Sequence, residues 1–206
     1  MKKLFYPLLA VSIIFAACKK ENAAVNGCMD AIATNYNVLA TSDDGTCTYG
    51  LVGGAWVASS TTLDAHVTIT LGGMTLMDST WTEVENNPDS LEPYKLKFLN
   101  DGTYTEYDQS DAEIESGTWS QSENEISITD SDTTFVVTLV SISKETAALE
   151  IDLSDTETDD GMTVTSEGTM SINFNRDENG FTTNNTNQRK GNTSWFDKSK
   201  LLNIIK

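Results

Sequence analysis

The sequence predicts an all-β protein, and three observations carry that reading. Apolar and polar residues alternate with a period of two across most of residues 51–175. Turn-forming clusters separate the alternating runs, and no helical pattern of ten or more residues interrupts them. Leu149, Ile151 and Leu153 fall on one face of a strand against Glu150 and Asp152 on the other. Met170, Ile172 and Phe174 repeat this against Ser171, Asn173 and Asn175, as do Ile126 and Ile128 against Ser127 and Thr129. Turns are expected at Gly72-Gly73, Asn100-Asp101-Gly102, Ser122-Glu123-Asn124, Asp130-Ser131-Asp132 and Asp159-Asp160-Gly161. Strands are therefore predicted over 53–60, 66–71, 74–81, 94–100, 103–109, 113–120, 124–129, 134–143, 146–153 and 162–175. Short antiparallel strands joined by hairpins make an up-and-down barrel or a sandwich.

In chain order, the first element is Met1-Lys2-Lys3 followed by an apolar run from Leu4 to Ala17 and then Cys18. A positive start, an apolar core and small residues before a cut form a secretory signal. The run is too short to span a bilayer, which needs about 20 residues. Phe15-Ala16-Ala17-Cys18 resembles the lipobox of bacterial lipoproteins. The resemblance implies cleavage before Cys18, diacylation of its thiol (palmitate being the expected chain) and usually acylation of the new amine. Anchoring is then stable, because two or three acyl chains hold where one binds only marginally. Lys19 stands where an aspartate would retain such a protein in the inner membrane. The expected address is the cell envelope, lipid-anchored to the outer membrane at its periplasmic face or the cell surface.

Loss of residues 1–17 removes Lys2 and Lys3 and no acid, so the whole chain's charge of −18 becomes about −20 in the mature chain. Such a surface argues strongly against a nucleic-acid partner. With Cys18 lipidated, Cys28 and Cys47 remain as a pair in an oxidising compartment, where a disulfide is expected. The expected organisation is a signal (1–17), a lipidated tether (18–26), a disulfide-bracketed repeat (27–50), a β-barrel (51–175) and a polar tail (176–206).

Residues 27–49, GCMDAIATNYNVLATSDDGTCTY, show no periodicity of any length. They resemble a small cysteine-bracketed repeat of secreted and surface bacterial proteins, C-x-D-x-x-A-x-N-Y-N-x-x-A-x-x-D-D-G-x-C. This copy departs from it at Ala31 and Val38, where proline is usual. So short a segment cannot bury a core, and closing a loop of this length by a disulfide contributes about 3 kcal/mol in the chain-entropy account. Asp30, Asn35, Asn37, Asp43 and Asp44 are hard oxygen ligands of the kind Ca2+ takes. Their spacing is not that of an EF-hand, and the same residue types also build turns by bonding their own backbone.

The strands carry a second resemblance. Gly54-Ala55-Trp56, the hairpin Tyr94–Tyr104 (YKLKFLNDGTY) and Gly117-Thr118-Trp119 followed by Ile126 and Ile128 are similar to the G-x-W and F-x-x-D-G-T-Y motifs of bacterial lipocalin-like lipoproteins. Their order and spacing, over about 120 residues, imply an antiparallel up-and-down lipocalin-like barrel of about eight to ten strands behind the disulfide-closed module. Residues 66–71 and 74–81 would add an early hairpin. In that family the G-x-W tryptophans commonly plug a barrel end, so Trp56 and Trp119 are expected as plugs, with ligand contact as the other role.

Catalytic chemistry finds little material. His66 is the only histidine, lying in an alternating strand that reads as solvent-facing, and a Ser-His-Asp triad would have to use it. Zinc lacks ligands, and no phosphate loop or dinucleotide fingerprint is present. The chain is expected not to be an enzyme. Two functions remain. The resemblance implies a lipid-anchored barrel that binds a small apolar or amphipathic ligand. The alternative is an envelope interaction module whose filled barrel presents loops to a protein or glycan. Large inward residues at Phe98, Leu149, Ile151, Met170 and Phe174 lean towards a filled core. Residues 189–206 add a basic, apolar-rich tail in which Ser194 and Asp197 could cap a short helix.

Overall fold

The structure is a computed structural model of the chain, and it describes residues 23–86, 94–130 and 133–177. The signal, Cys18 and the C-terminal tail lie outside the described residues.

Behind a two-residue parallel pair, β1 (Asn26–Gly27) with β2 (Ser42–Asp43), nine strands follow in the described residues. These are β3 (Ala55–Leu71), β4 (Met74–Glu85), β5 (Lys95–Phe98), β6 (Thr103–Tyr107), β7 (Glu113–Ser122), β8 (Glu125–Thr129), β9 (Thr134–Ile142), β10 (Thr146–Asp159) and β11 (Met162–Asp177). Each of β5 to β10 pairs with the next, β3 pairs with β5, and β11 returns to pair with β3. Eight antiparallel strands thus close into an up-and-down barrel, with β4 as an extra strand hydrogen-bonded to β3. Closure removes the barrel's edges.

The interior is filled. Trp56, Leu96, Phe98, Tyr104, Ile126, Ile128, Val137, Leu149, Ile151, Ile172 and Phe174 belong to one contiguous buried cluster. All five large residues expected to point inward do so.

The strands predicted at 53–60 and 66–71 leave a break at residues 61–65. The chain has none there. One 17-residue strand runs from Ala55 to Leu71, with a bulge at Ser59 opposite the Asn173/Phe174 step. The bulge shifts the inward face from Trp56 and Ala58 to Leu63, Ala65 and Val67, so the alternation is real but changes phase. β10 and β11 also outrun the strands beside them. β9 pairs β10 only as far as Glu150, whereas β11 follows it to Asp159. Beyond the barrel the sheet therefore continues as a four-stranded arm in the order β4-β3-β11-β10. Its tip is two tight turns joined by a hydrogen bond from Gly72 N–H to the Gly161 carbonyl at 3.2 Å.

Two glycines of the motifs are required by close approach. A Cβ at Gly117 would sit 2.1 Å from the Thr129 carbonyl oxygen, and one at Gly54, where φ is +130°, would sit 2.8 Å from the Asp177 carbonyl.

Candidate functional site: the disulfide module, the barrel end and the arm

The module at residues 27–50 is closed by the expected bridge. Cys28 and Cys47 form a disulfide, and Cys28 is buried. Around it the Asx residues organise the backbone. Asn35 reaches across the loop, donating from Nδ2 to the Thr46 carbonyl at 2.6 Å while its Oδ1 accepts from Thr48 N–H at 2.9 Å. Asp30, Asn37, Asp43 and Asp44 each accept from the N–H two residues on, at Ile32, Leu39, Gly45 and Thr46. These are Asx turns, the competing use of such side chains. The Thr46 hydroxyl and amide hold the Asp44 carboxyl below its usual range. The second Asp30 oxygen takes the Tyr49 hydroxyl at 3.0 Å and the Lys144 ammonium at 2.9 Å. Hydrogen bonds from Lys144 and the Ile32 amide lower the Asp30 carboxyl likewise. The five oxygen-bearing residues thus bond the chain's own N–H, O–H and ammonium groups. Among the described residues no group of three or more Asp, Glu, His or Cys is placed to hold a metal ion.

The module sits on the end of the barrel that carries Trp56. Leu51 enters the core, and Trp56 lies beneath it at 1% exposure, its Nε1–H donating to the Leu51 carbonyl at 2.7 Å. The Arg176 guanidinium lies 4.1 Å over the indole ring. It also donates to the carbonyls of Gly50, Val52 and Gly53 at 2.7, 3.1 and 2.8 Å. One cation thereby ties the last strand, the buried tryptophan and the segment entering the barrel. Trp119, at the same end, is only partly buried. It packs edge-on to Phe98 with centroids 5.0 Å apart and donates to the Leu99 carbonyl at 3.1 Å. The two tryptophans, expected to behave alike, occupy a core and a rim position.

Sequence reasoning missed the arm. Its outer face carries a groove of about 790 Å³ that crosses all four strands. The cross-strand register places Thr82, Asp64, Thr169 and Asp152 in one row and Thr80, His66, Glu167 and Ser154 in the next. Thr82 and Thr169 donate to Asp64 and Asp152 at 2.5 and 3.2 Å. The floor lies at Ala65, Trp81, Leu153 and Gly168. His66 is within reach of two partners, Asp78 Oδ1 at 2.7 Å and Thr68 Oγ1 at 3.3 Å. Both contacts fall on Nε2, whereas a triad needs the carboxylate on Nδ1 and the nucleophile on Nε2. The carboxylates of Asp64, Asp152 and Glu167 line the groove, with the hydroxyls of Thr80, Thr82, Ser154 and Thr169 spaced between them. The alternation Thr62-x-Asp64-x-His66-x-Thr68 was visible in the sequence, but the convergence of these residues with the rest of the groove depends on four strands running past the barrel.

Large apolar side chains stand exposed singly on the barrel, at Leu99, Val136 and Val140, and in larger number on the module and the arm. On the module these are Val38 at 76% and Leu39 at 72%, with Met29 and Tyr36 nearby in sequence. On the arm they are Leu71, Met74, Leu76, Met77, Trp81, Val84 and Met162. The chain matches no family model, no curated protein and no solved structure.

Proposed function

We propose that this chain is a lipid-anchored envelope protein that works as a non-enzymatic interaction module, its barrel a scaffold rather than a container. One observation carries the reading: the barrel is filled by its own side chains, while large apolar residues project into solvent from the module and the arm. An eight-stranded barrel has room for either its side chains or one small ligand, and here the side chains take it. Exposed apolar groups on a soluble body mark contact surfaces when they cluster. Val38 and Leu39 sit on a module made rigid by a disulfide and five Asx residues, so little order is lost on contact. Cys18 supplies the anchor, and residues 19–25 would tether the module close to the membrane.

Two measurements on protein purified from its own envelope test this. Native mass spectrometry is expected to give the mass of the acylated chain with no stoichiometric small molecule. A photo-crosslinking residue at position 39 is expected to yield a discrete adduct in intact cells. A small molecule released only on unfolding, together with no adduct at position 39, would return the function to ligand binding.

A further inference from the structure

We propose that β4 is a self-association edge, through which two copies of this chain join their arms into one continuous antiparallel sheet. β4 is a 12-residue strand in which every residue from Met74 to Val84 is exposed. Both of its faces are open to solvent, and β3 is the only strand beside it among the described residues. It nevertheless carries Met74, Leu76, Met77, Trp81 and Val84. An edge strand with unsatisfied N–H and C=O groups and apolar side chains is a template for pairing unless charge or proline blocks it.

The opposite edge of the same arm is blocked in that way. β10 beyond Glu150 has no strand on its outer side in the described residues, and there it carries Asp152, Asp155, Glu157 and Asp159. β4 also carries acids, Asp78, Glu83 and Glu85, but five large exposed apolar residues stand among them, and the arm's two edges differ in that balance.

The sequence of β4 selects a second copy as the occupant. With a two-fold axis normal to the sheet at Ser79, Ser79 faces its own copy. Asp78 then faces Thr80 of the second copy, and Met77 faces its Trp81. Over the regular stretch 77–81, short of the bulge at Leu76, no carboxylate opposes another and Met77 meets Trp81. The Asp78–Thr80 pairs also repeat the Thr82–Asp64 and Thr169–Asp152 hydrogen bonds already present across the arm. Centring the axis one residue on, at Thr80, would instead set Met77 against Glu83. Because Thr80 lines the outer groove, the second copy's Asp78 would extend that groove across the interface. Two chains of charge −18 repel, so salt should strengthen the pairing, since the Debye length is only about 8 Å at physiological ionic strength.

The experiment uses the full chain in mild detergent, with sedimentation to read mass and oxidative cross-linking to read register. A concentration-dependent dimer is expected, tightened by salt. Trp81→Lys and Met77→Lys, at half-exposed positions (37% and 40%), should each weaken it by roughly tenfold or more with the melting midpoint unchanged. Ser79→Cys should cross-link to its own copy, while Ser154→Cys on the acidic edge should not. A chain that stays monomeric at every concentration overturns the proposal. So does a dimer that survives Trp81→Lys and Met77→Lys, as one held by a shared micelle would, or one that cross-links as readily at position 154 as at 79.

Discussion

At the scale of single residues, Trp56 and Tyr104 show how burial sets a side chain's role. Trp56 combines a filled position, a hydrogen bond to Leu51 and a guanidinium over its ring. Truncating a buried tryptophan removes transfer energy and leaves a cavity, so Trp56→Ala is expected to cost about 3–5 kcal/mol. Trp119 is only partly buried, and Trp119→Ala is expected to cost about 1–2 kcal/mol, a difference that urea unfolding resolves. Tyr104 is buried in the barrel, and desolvation followed by the negative charge of Glu106 pushes its phenol above the usual value of 10. The folded state therefore holds this proton after the unfolded chain has released it. Its contribution is complete below pH about 10 and declines as pH rises towards the folded value. Alkaline unfolding midpoints should fall with pH in the wild type, and that slope should flatten in Tyr104→Phe. An identical slope in both would show that other groups control it.

The elements differ in where their order comes from. The barrel strands are ordered by a shared apolar core, the module by its covalent bridge and turns. Replacing Cys28 and Cys47 by alanine is expected to raise hydrogen exchange and protease sensitivity over residues 27–49 while the barrel unfolds at nearly its original urea midpoint. The closed loop contributes about 3 kcal/mol in the chain-entropy account, and that loss falls on a segment the barrel does not need. Collapse of barrel and module together would mean that Leu51 and Arg176 couple them into one cooperative unit.

For the whole molecule, the proposed anchor and the charge act together. With Cys18 acylated, the chain is expected to partition into detergent, and Cys18→Ser into the aqueous phase, uncut or cut elsewhere. Detergent partitioning of Cys18→Ser at the wild-type level would remove the anchor from the account. The net charge of −18 keeps so exposed a body dispersed, and makes the apolar patches on β4 and at Val38-Leu39 contrast with everything around them.

The all-β class, the order of the strands, the inward residues and the cysteine pair were legible in the sequence, because each rests on local rules. Side chains alternate with period two along any strand, turns need particular residues, and two cysteines left in an oxidising compartment can pair. The barrel's closure also followed, through motifs whose glycines proved sterically obligatory at Gly54 and Gly117. What only the tertiary structure decided was the phase shift at Ser59, the hydrogen bonds that Asp30, Asn35, Asn37, Asp43 and Asp44 make within the chain, and the arm. A bulge looks like a strand end when read along one chain, since the alternation breaks there. Whether Asp30 serves a cation or Lys144 depends on a residue 114 positions away. The arm exists because three strands outrun their neighbours, and its groove gathers residues from four strands, a register that no local pattern encodes.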